Sequence, residues 1–258
     1  MIDDILRNNV KEKLARGEVV ASMTVRLVRQ IEIAQIAETA GFDTIYVDME
    51  HCSASIETTS QLCMAALAAG ITPFVRVPAN TPEYITRVLE GGALGVIAPH
   101  IASAEAARAV VEAAKFLPLG ARSVAGGLPH LHFRTFPAAE AFAALNDATM
   151  VMVQFESAAA LAKAEEIVAV EGIDMVMIGT NDLLCDWASR NNTSIRRCAK
   201  PTRRPLRCAD DTASMWVSAG LQRARSWWRN MCGWARAMCR PAPTLRSLWA
   251  RAQHGRSR

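Results

Sequence analysis

Two carboxylates each stand just past a short apolar run: Glu156 in V-Q-F-E after 150–155, and Asp182 in G-T-N-D after 175–179. Neither has a Cys or His beside it in sequence. Such a pair suits a hard divalent ion that keeps several of its waters. The competing reading makes Glu156 the cap of a following helix and Asp182 a turn residue. His51, behind Asp48 and Glu50, could act as a general base near neutral pH, or could be a solvent-facing loop histidine. Arg76 lies inside P-F-V-R-V-P, where a bare buried charge is too costly. It must be salt-bridged or point into a polar mouth. Glu90, at the end of the next helix, could be its partner or could face water. His130 and His132 form an H-x-H pair that binds metal only if both project from one strand face, and here they follow G-G-L-P in a loop. Arg122-Ser123 could touch an anion. Gly126-Gly127 alone is too little for a phosphate cradle. Cys52 and Cys63 read as packing residues.

The elements that must position these groups alternate regularly. Runs at 19–25, 42–49, 71–77, 95–99, 150–155 and 175–179 read as strands. Between them lie helices over 31–40, 57–69, from Pro82 to Gly91-Gly92, 103–116 and 159–170. In the first, Ile31, Ile33, Ile36 and Ala37 recur near 3.6-residue spacing. Apolar strands alternating with helices predict βαβ units and a parallel sheet. Polar residues gather at the strand ends: Asp48, Glu50 and His51; Arg76; His100; Gln154 and Glu156; Asn181 and Asp182. Six strands delivering polar groups at one end favour a barrel, whose active site lies at the carboxyl ends, over an open doubly wound sheet.

The remainder of the chain differs in texture. Residues 1–187 carry 13 Lys and Arg against 23 Asp and Glu, net −10, whereas 188–258 carry 16 against 2, net +14. All six Trp lie from Trp187 onward. No period of 2 or 3.6 is sustained there. Read one base back, the degenerate codons of 208–221 permit R-R-R-H-G-K-H-V-G-V-G-G-L, a helix-then-strand texture. Residues 187–258 are therefore expected to be a frameshifted, irregular barrel terminus following an incomplete barrel over 1–186. A polyanion-binding module built on the basic tail and a catalytically dead truncated barrel are the competing readings. The Arg residues gather on no discernible face, so no nucleic-acid partner is expected. Seven Cys without a CxxC pair argue against a disulfide scaffold or zinc site and predict a cytoplasmic setting. No apolar run approaches the roughly 18 residues of a membrane span.

Taken jointly, D-M-E-H (48–51), F-V-R-V-P (74–78), L-E-G-G-A-L-G-V-I-A-P-H (89–100), G-A-R-S-V (120–124), V-Q-F-E (153–156) and G-x-D-x-V-x-I-G-x-N-D-L (172–183) resemble the HpcH/HpaI aldolase family. These are metal-dependent pyruvate aldolases. The resemblance implies a (β/α)₈ TIM barrel, here with its first six strands intact, and a homo-oligomer, trimer or hexamer. It implies a lyase that splits a 4-hydroxy-2-oxo acid, of the 2-keto-3-deoxy acid type, into pyruvate and an aldehyde with Mg²⁺, Mn²⁺ or Co²⁺. His51 then matches the catalytic base and Arg76 the group stabilising the enolate. Glu156 and Asp182 match the metal ligands. Gln154 and Asn181 match substrate contacts, with Asp182 beside them. Glu90 aligns with an acidic residue, usually Asp, that raises the basicity of the histidine. No Lys stands at a strand end for a Schiff base; Lys11, Lys13, Lys115 and Lys163 fall in helical or terminal contexts.

Overall fold

The computed structural model describes residues 2–191 and 215–218. Helix α1 (Asn9–Ala15) precedes β1 (Ser22–Val25), which opens the first of four βα units. These run α2 (Glu32–Thr39), β2 (Thr44–Asp48), α3 (Ile56–Ala68), β3 (Thr72–Arg76), α4 (Pro82–Glu90), β4 (Gly95–Ala98) and α5 (Ala104–Ala114). After a long loop come α6 (Ala138–Ala148), β5 (Met150–Phe155), α7 (Ala158–Ala162), α8 (Ala164–Val168), β6 (Met175–Ile178) and α9 (Thr180–Asn191). Met215–Ser218 forms β7.

The sheet order is β1-β2-β3-β4-β5-β6-β7, with the first six strands parallel. An order that never reverses, with right-handed crossovers, puts the connecting helices on one face only. They pack there in sequence, α2 on α3, α3 on α4, α4 on α5 and α5 on α8. The other face is left to side chains alone, as in the wall of a barrel. Among the described residues the sheet is open, with β1 and β7 as its edges. The expectation of a tail without elements is departed from twice, because α9 runs on to Asn191 and β7 pairs antiparallel with β6, Val176 opposite Val217. The frameshift itself falls on 187–258, which apart from the course of α9 and β7 lies outside the described residues.

Alternation sorts the strands' two faces. Tyr46, Phe74, Ile97, Met150, Met152, Met175 and Met177 form one buried cluster with Val10 of α1, and Leu14 and Val20 pack against it. Helix α1 thus closes the amino end of the wall. Its cap residue Asn8 donates to Ala148 O at 2.7 Å and to Leu94 O at 3.4 Å, tying it to the starts of β4 and β5. Gly95 makes room for this layer: a Cβ there would lie 2.8 Å from the Phe74 ring and 2.7 Å from Met150 O. Two residues further along each strand the same face turns polar, at Asp48, Arg76 and Gln154. Among the described residues, no helix is long and apolar enough to cross a membrane.

Candidate active site

Strand β2 ends on Asp48, and its carboxylate organises the turn that follows. Asp48 Oδ1 accepts from the backbone N–H of Glu50 at 3.2 Å and of His51 at 3.3 Å. The register sets Asp48 beside Arg76 on β3, and the pair closes in fork geometry. Arg76 Nε donates to Asp48 Oδ1 at 2.9 Å and Nη2 to Oδ2 at 2.7 Å. Arg76 Nη1 lies 2.9 Å from Glu50 Oε2 and donates to Gln154 Oε1 at 3.3 Å. Arg26, just past β1, adds a contact at 3.1 Å to Asp48 Oδ2. Both readings of Arg76 therefore hold together, since it is salt-bridged and stands in the polar mouth. Burial works against the Asp48 charge, but the hydrogen bonds and charge of Arg76 outweigh it and lower the carboxyl pKa. The Arg76 pKa is raised: burial opposes its charge, and Asp48 more than restores it.

Strand β5 ends at Phe155, and Glu156 turns inward, 5% exposed. It does not cap α7. Ser157 does that, its hydroxyl accepting from Ala160 N at 3.1 Å. Glu156 Oε1 accepts from Gln154 Nε2 at 2.6 Å, and Oε2 accepts from His100 N at 2.9 Å. Gly179, just past β6, leaves the space Glu156 fills, since a Cβ would fall 2.5 Å from its Cγ and Oε1. Asp182 and Asn181 follow in the first turn of α9, both exposed. The Glu156 pKa is raised, first by burial and then by the negative charges of Glu50 and Asp182, with the His100 contacts acting the other way.

The structure thus brings together His51, Arg76, Gln154, Glu156 and Asp182, with Asn181 on the same rim. The His51 ring is half exposed, its Nε2 3.7 Å from Glu50 Oε2. Glu90 is corrected. It closes α4 and leads through Gly91-Gly92 into the start of β4, at the opposite end of the sheet from His51 of the same chain. Its negative charge is felt by Arg122 instead. His130 and His132 do not share a face: His130 is buried with Nε2 2.9 Å from Ala93 O, while His132 is exposed. Sequence reasoning gave no role to Asp48, Glu50 or His100, although all three stood among the polar strand ends.

Four carboxylates, Asp48, Glu50, Glu156 and Asp182, meet two guanidinium groups, Arg26 and Arg76, around this mouth. Carboxylates thus outnumber guanidinium groups around the mouth, which fits a divalent cation. Among the described residues no three His, Cys, Asp or Glu side chains converge as a complete cage. The donor set therefore suits an ion that keeps waters or substrate oxygens in its shell.

Comparison with known proteins decides the lineage. The HpcH/HpaI aldolase/citrate lyase family model matches residues 26–215. The chain belongs to this family. A 4-hydroxy-4-methyl-2-oxoglutarate aldolase of Chaetomium globosum is 39% identical over 181 residues, 69% of this chain and 67% of that protein. A 2-keto-3-deoxy-L-rhamnonate aldolase of Escherichia coli is 30% identical over 231 residues, 88% of this chain and 86% of that one. The solved HpcH/HpaI aldolase from Desulfitobacterium hafniense DCB-2 superposes with a TM-score of 0.67 at 32% identity, covering 75% of this chain and 74% of its own. The relatives named here are aldolases, which supports an enzyme of the HpcH/HpaI aldolase class.

Proposed function

We propose that this HpcH/HpaI chain cleaves 4-hydroxy-2-oxo acids by a retro-aldol reaction, releasing pyruvate. What supports the reading is Arg76, Gln154 and Glu156 joined at one set of strand ends, with His51 beside Glu50 and Asp182 near enough for its charge to act on Glu156. In the reaction the C4 hydroxyl loses its proton, the C3–C4 bond breaks, and the electron pair moves into an enolate that is protonated at C3 to give pyruvate. The other fragment leaves as an aldehyde or ketone. His51 takes the hydroxyl proton, and Glu50, 3.7 Å away, stabilises the imidazolium that forms. Arg76 is fixed by Asp48 before substrate arrives, so its charge faces the developing enolate without reorganisation. Gln154 and Asn181 orient the 2-oxo acid. A divalent cation such as Mg²⁺, Mn²⁺ or Co²⁺, held by Glu156 and Asp182, supplies the Lewis acidity that lowers the energy of the enolate.

The relatives suggest which acids to try. 4-Hydroxy-4-methyl-2-oxoglutarate would give two molecules of pyruvate, and a 2-keto-3-deoxy sugar acid one pyruvate and an aldehyde. Coupling pyruvate release to NADH oxidation by lactate dehydrogenase measures both. The expected result is turnover with Mn²⁺ or Mg²⁺ that EDTA abolishes, and a loss of about 10²–10⁴-fold in His51→Ala. No pyruvate from either class of acid with any of the three metals would sink the reading.

A further inference from the structure

His100 holds a backbone position that few residues take, and three separate hydrogen bonds keep it there. Two residues past the end of β4 it adopts φ 56°, in the left-handed region, where His, Asn and Asp are enriched among non-glycine residues. The carbonyl before it, Pro99 O, accepts from Asn80 Nδ2 at 2.6 Å. The amide after it, Ile101 N–H, donates to Gln154 O at 3.2 Å. Its own N–H donates to Glu156 Oε2 at 2.9 Å. The turn that results places the imidazole between two carboxylates, with Nε2 2.8 Å from Glu50 Oε1 and Nδ1 2.8 Å from Glu156 Oε2.

We propose that His100 is the positioning residue of this site: its ring braces Glu156 against Glu50 and so fixes the Glu156 carboxylate for a divalent cation. This rests on the reading of Glu156 as a cation ligand. A carboxylate offers about four lone-pair directions. Gln154 Nε2 and the His100 N–H each donate to Glu156, and ring Nδ1 lies 2.8 Å from the oxygen that the N–H bonds. The brace therefore holds the side chain in one orientation while leaving room for one further bond. Glu50 is contacted at both oxygens, with Arg76 Nη1 2.9 Å from Oε2 and His100 Nε2 2.8 Å from Oε1. Partners of this kind around a ligand typically change metal affinity 10–100-fold when removed.

The test uses the full chain and Mn²⁺, with free Mn²⁺ counted by its EPR signal. His100→Gly keeps the left-handed turn and its N–H donor but removes the ring. It is expected to weaken Mn²⁺ binding 10–100-fold while the metal-free protein still unfolds in one cooperative transition. His100→Asn, which tolerates the same backbone but reaches less far, is expected to fall between the two. Mn²⁺ binding by His100→Gly within twofold of the unaltered chain, or tighter, overturns the assignment. A second measurement needs no metal. In protein labelled with ¹⁵N-histidine, the His100 ring resonances, identified by their loss in His100→Gly, should move in both Glu50→Gln and Glu156→Gln and stay in place in Glu90→Gln. No response to either substitution overturns the brace. If the unaltered chain binds no Mn²⁺ while the ring responds to both, the brace stands and the cation reading is what falls.

Discussion

At the scale of single residues, Arg76 and Glu156 make opposite demands on stability. Arg76 serves two Asp48 oxygens, Glu50 and Gln154 from one planar fork, which a single ammonium cannot reproduce. Arg76→Lys should therefore lower unfolding free energy by about 2 kcal/mol, read from the urea midpoint, since it leaves part of a buried ion pair unmet. Glu156 works the other way. Its folded pKa is raised, so its favourable share of stability is present below the unfolded carboxyl value and is lost as pH rises through the folded one. At neutral pH without a cation, the charged form costs stability. Glu156→Gln should accordingly raise the thermal midpoint at pH 7 in EDTA, with the gap closing as pH falls into the carboxylate range. Mn²⁺ should then raise the midpoint of the unaltered chain but not that of the variant. A variant that melts lower at pH 7 would mean that its lost hydrogen bonds outweigh the relieved repulsion.

At the scale of elements, the strands were legible and the faces were not. Continuous apolar runs such as 71–77 leave little alternative to a buried parallel strand, and β3 falls inside that span. Helix α2 shows the limit. Of Ile31, Ile33, Ile36 and Ala37, only Ala37 is buried, and the second buried position is Ala34, because the sheet selects a small-residue face where helix and strand approach closely. The Ala-rich α6 gives too little contrast for periodicity to register. The run predicted over 159–170 breaks at Lys163 into α7 and α8. Glu90 shows what position along an element decides, because a residue that ends a helix sits at the amino side of the next strand. His100 was visible as a polar strand end, but its role depends on a left-handed turn that residue type alone does not announce. The long loop after α5 is held by His130, buried against Ala93 O, with its pKa lowered to about 4 first by burial and further by Arg122. Between pH 6.5 and about 4 the unfolded chain takes up a proton here that the folded chain refuses, so stability falls as pH drops through that window. From pH 7 to pH 5 the loss from this residue is roughly 2 kcal/mol. In urea titrations His130→Gln should show a flatter pH dependence by that amount; parallel curves for the two proteins would remove His130 from the account.

For the molecule as a whole, strand order and charge act together. Because six parallel strands succeed one another without reversal, their carboxyl ends form one rim, and every polar strand end seen in the sequence arrives there. That rim holds four carboxylates against two guanidinium groups, on a region, 1–187, that carries a net −10. Asp182 faces solvent, so part of the attraction for a cation acts through water and is open to screening. The screening length shrinks from about 14 Å to about 4 Å between 0.05 and 0.5 M monovalent salt. Over that range Mn²⁺ affinity should fall by about tenfold, through both the local charges and the summed field. Asp182→Asn should reduce the affinity at low salt and also flatten its salt dependence, because it removes the exposed charge and leaves the buried Glu156. An affinity indifferent to salt would show that Arg26, Arg76 and the two imidazoles already neutralise the rim, and the case for a divalent cation drawn from its uncompensated charge would fail.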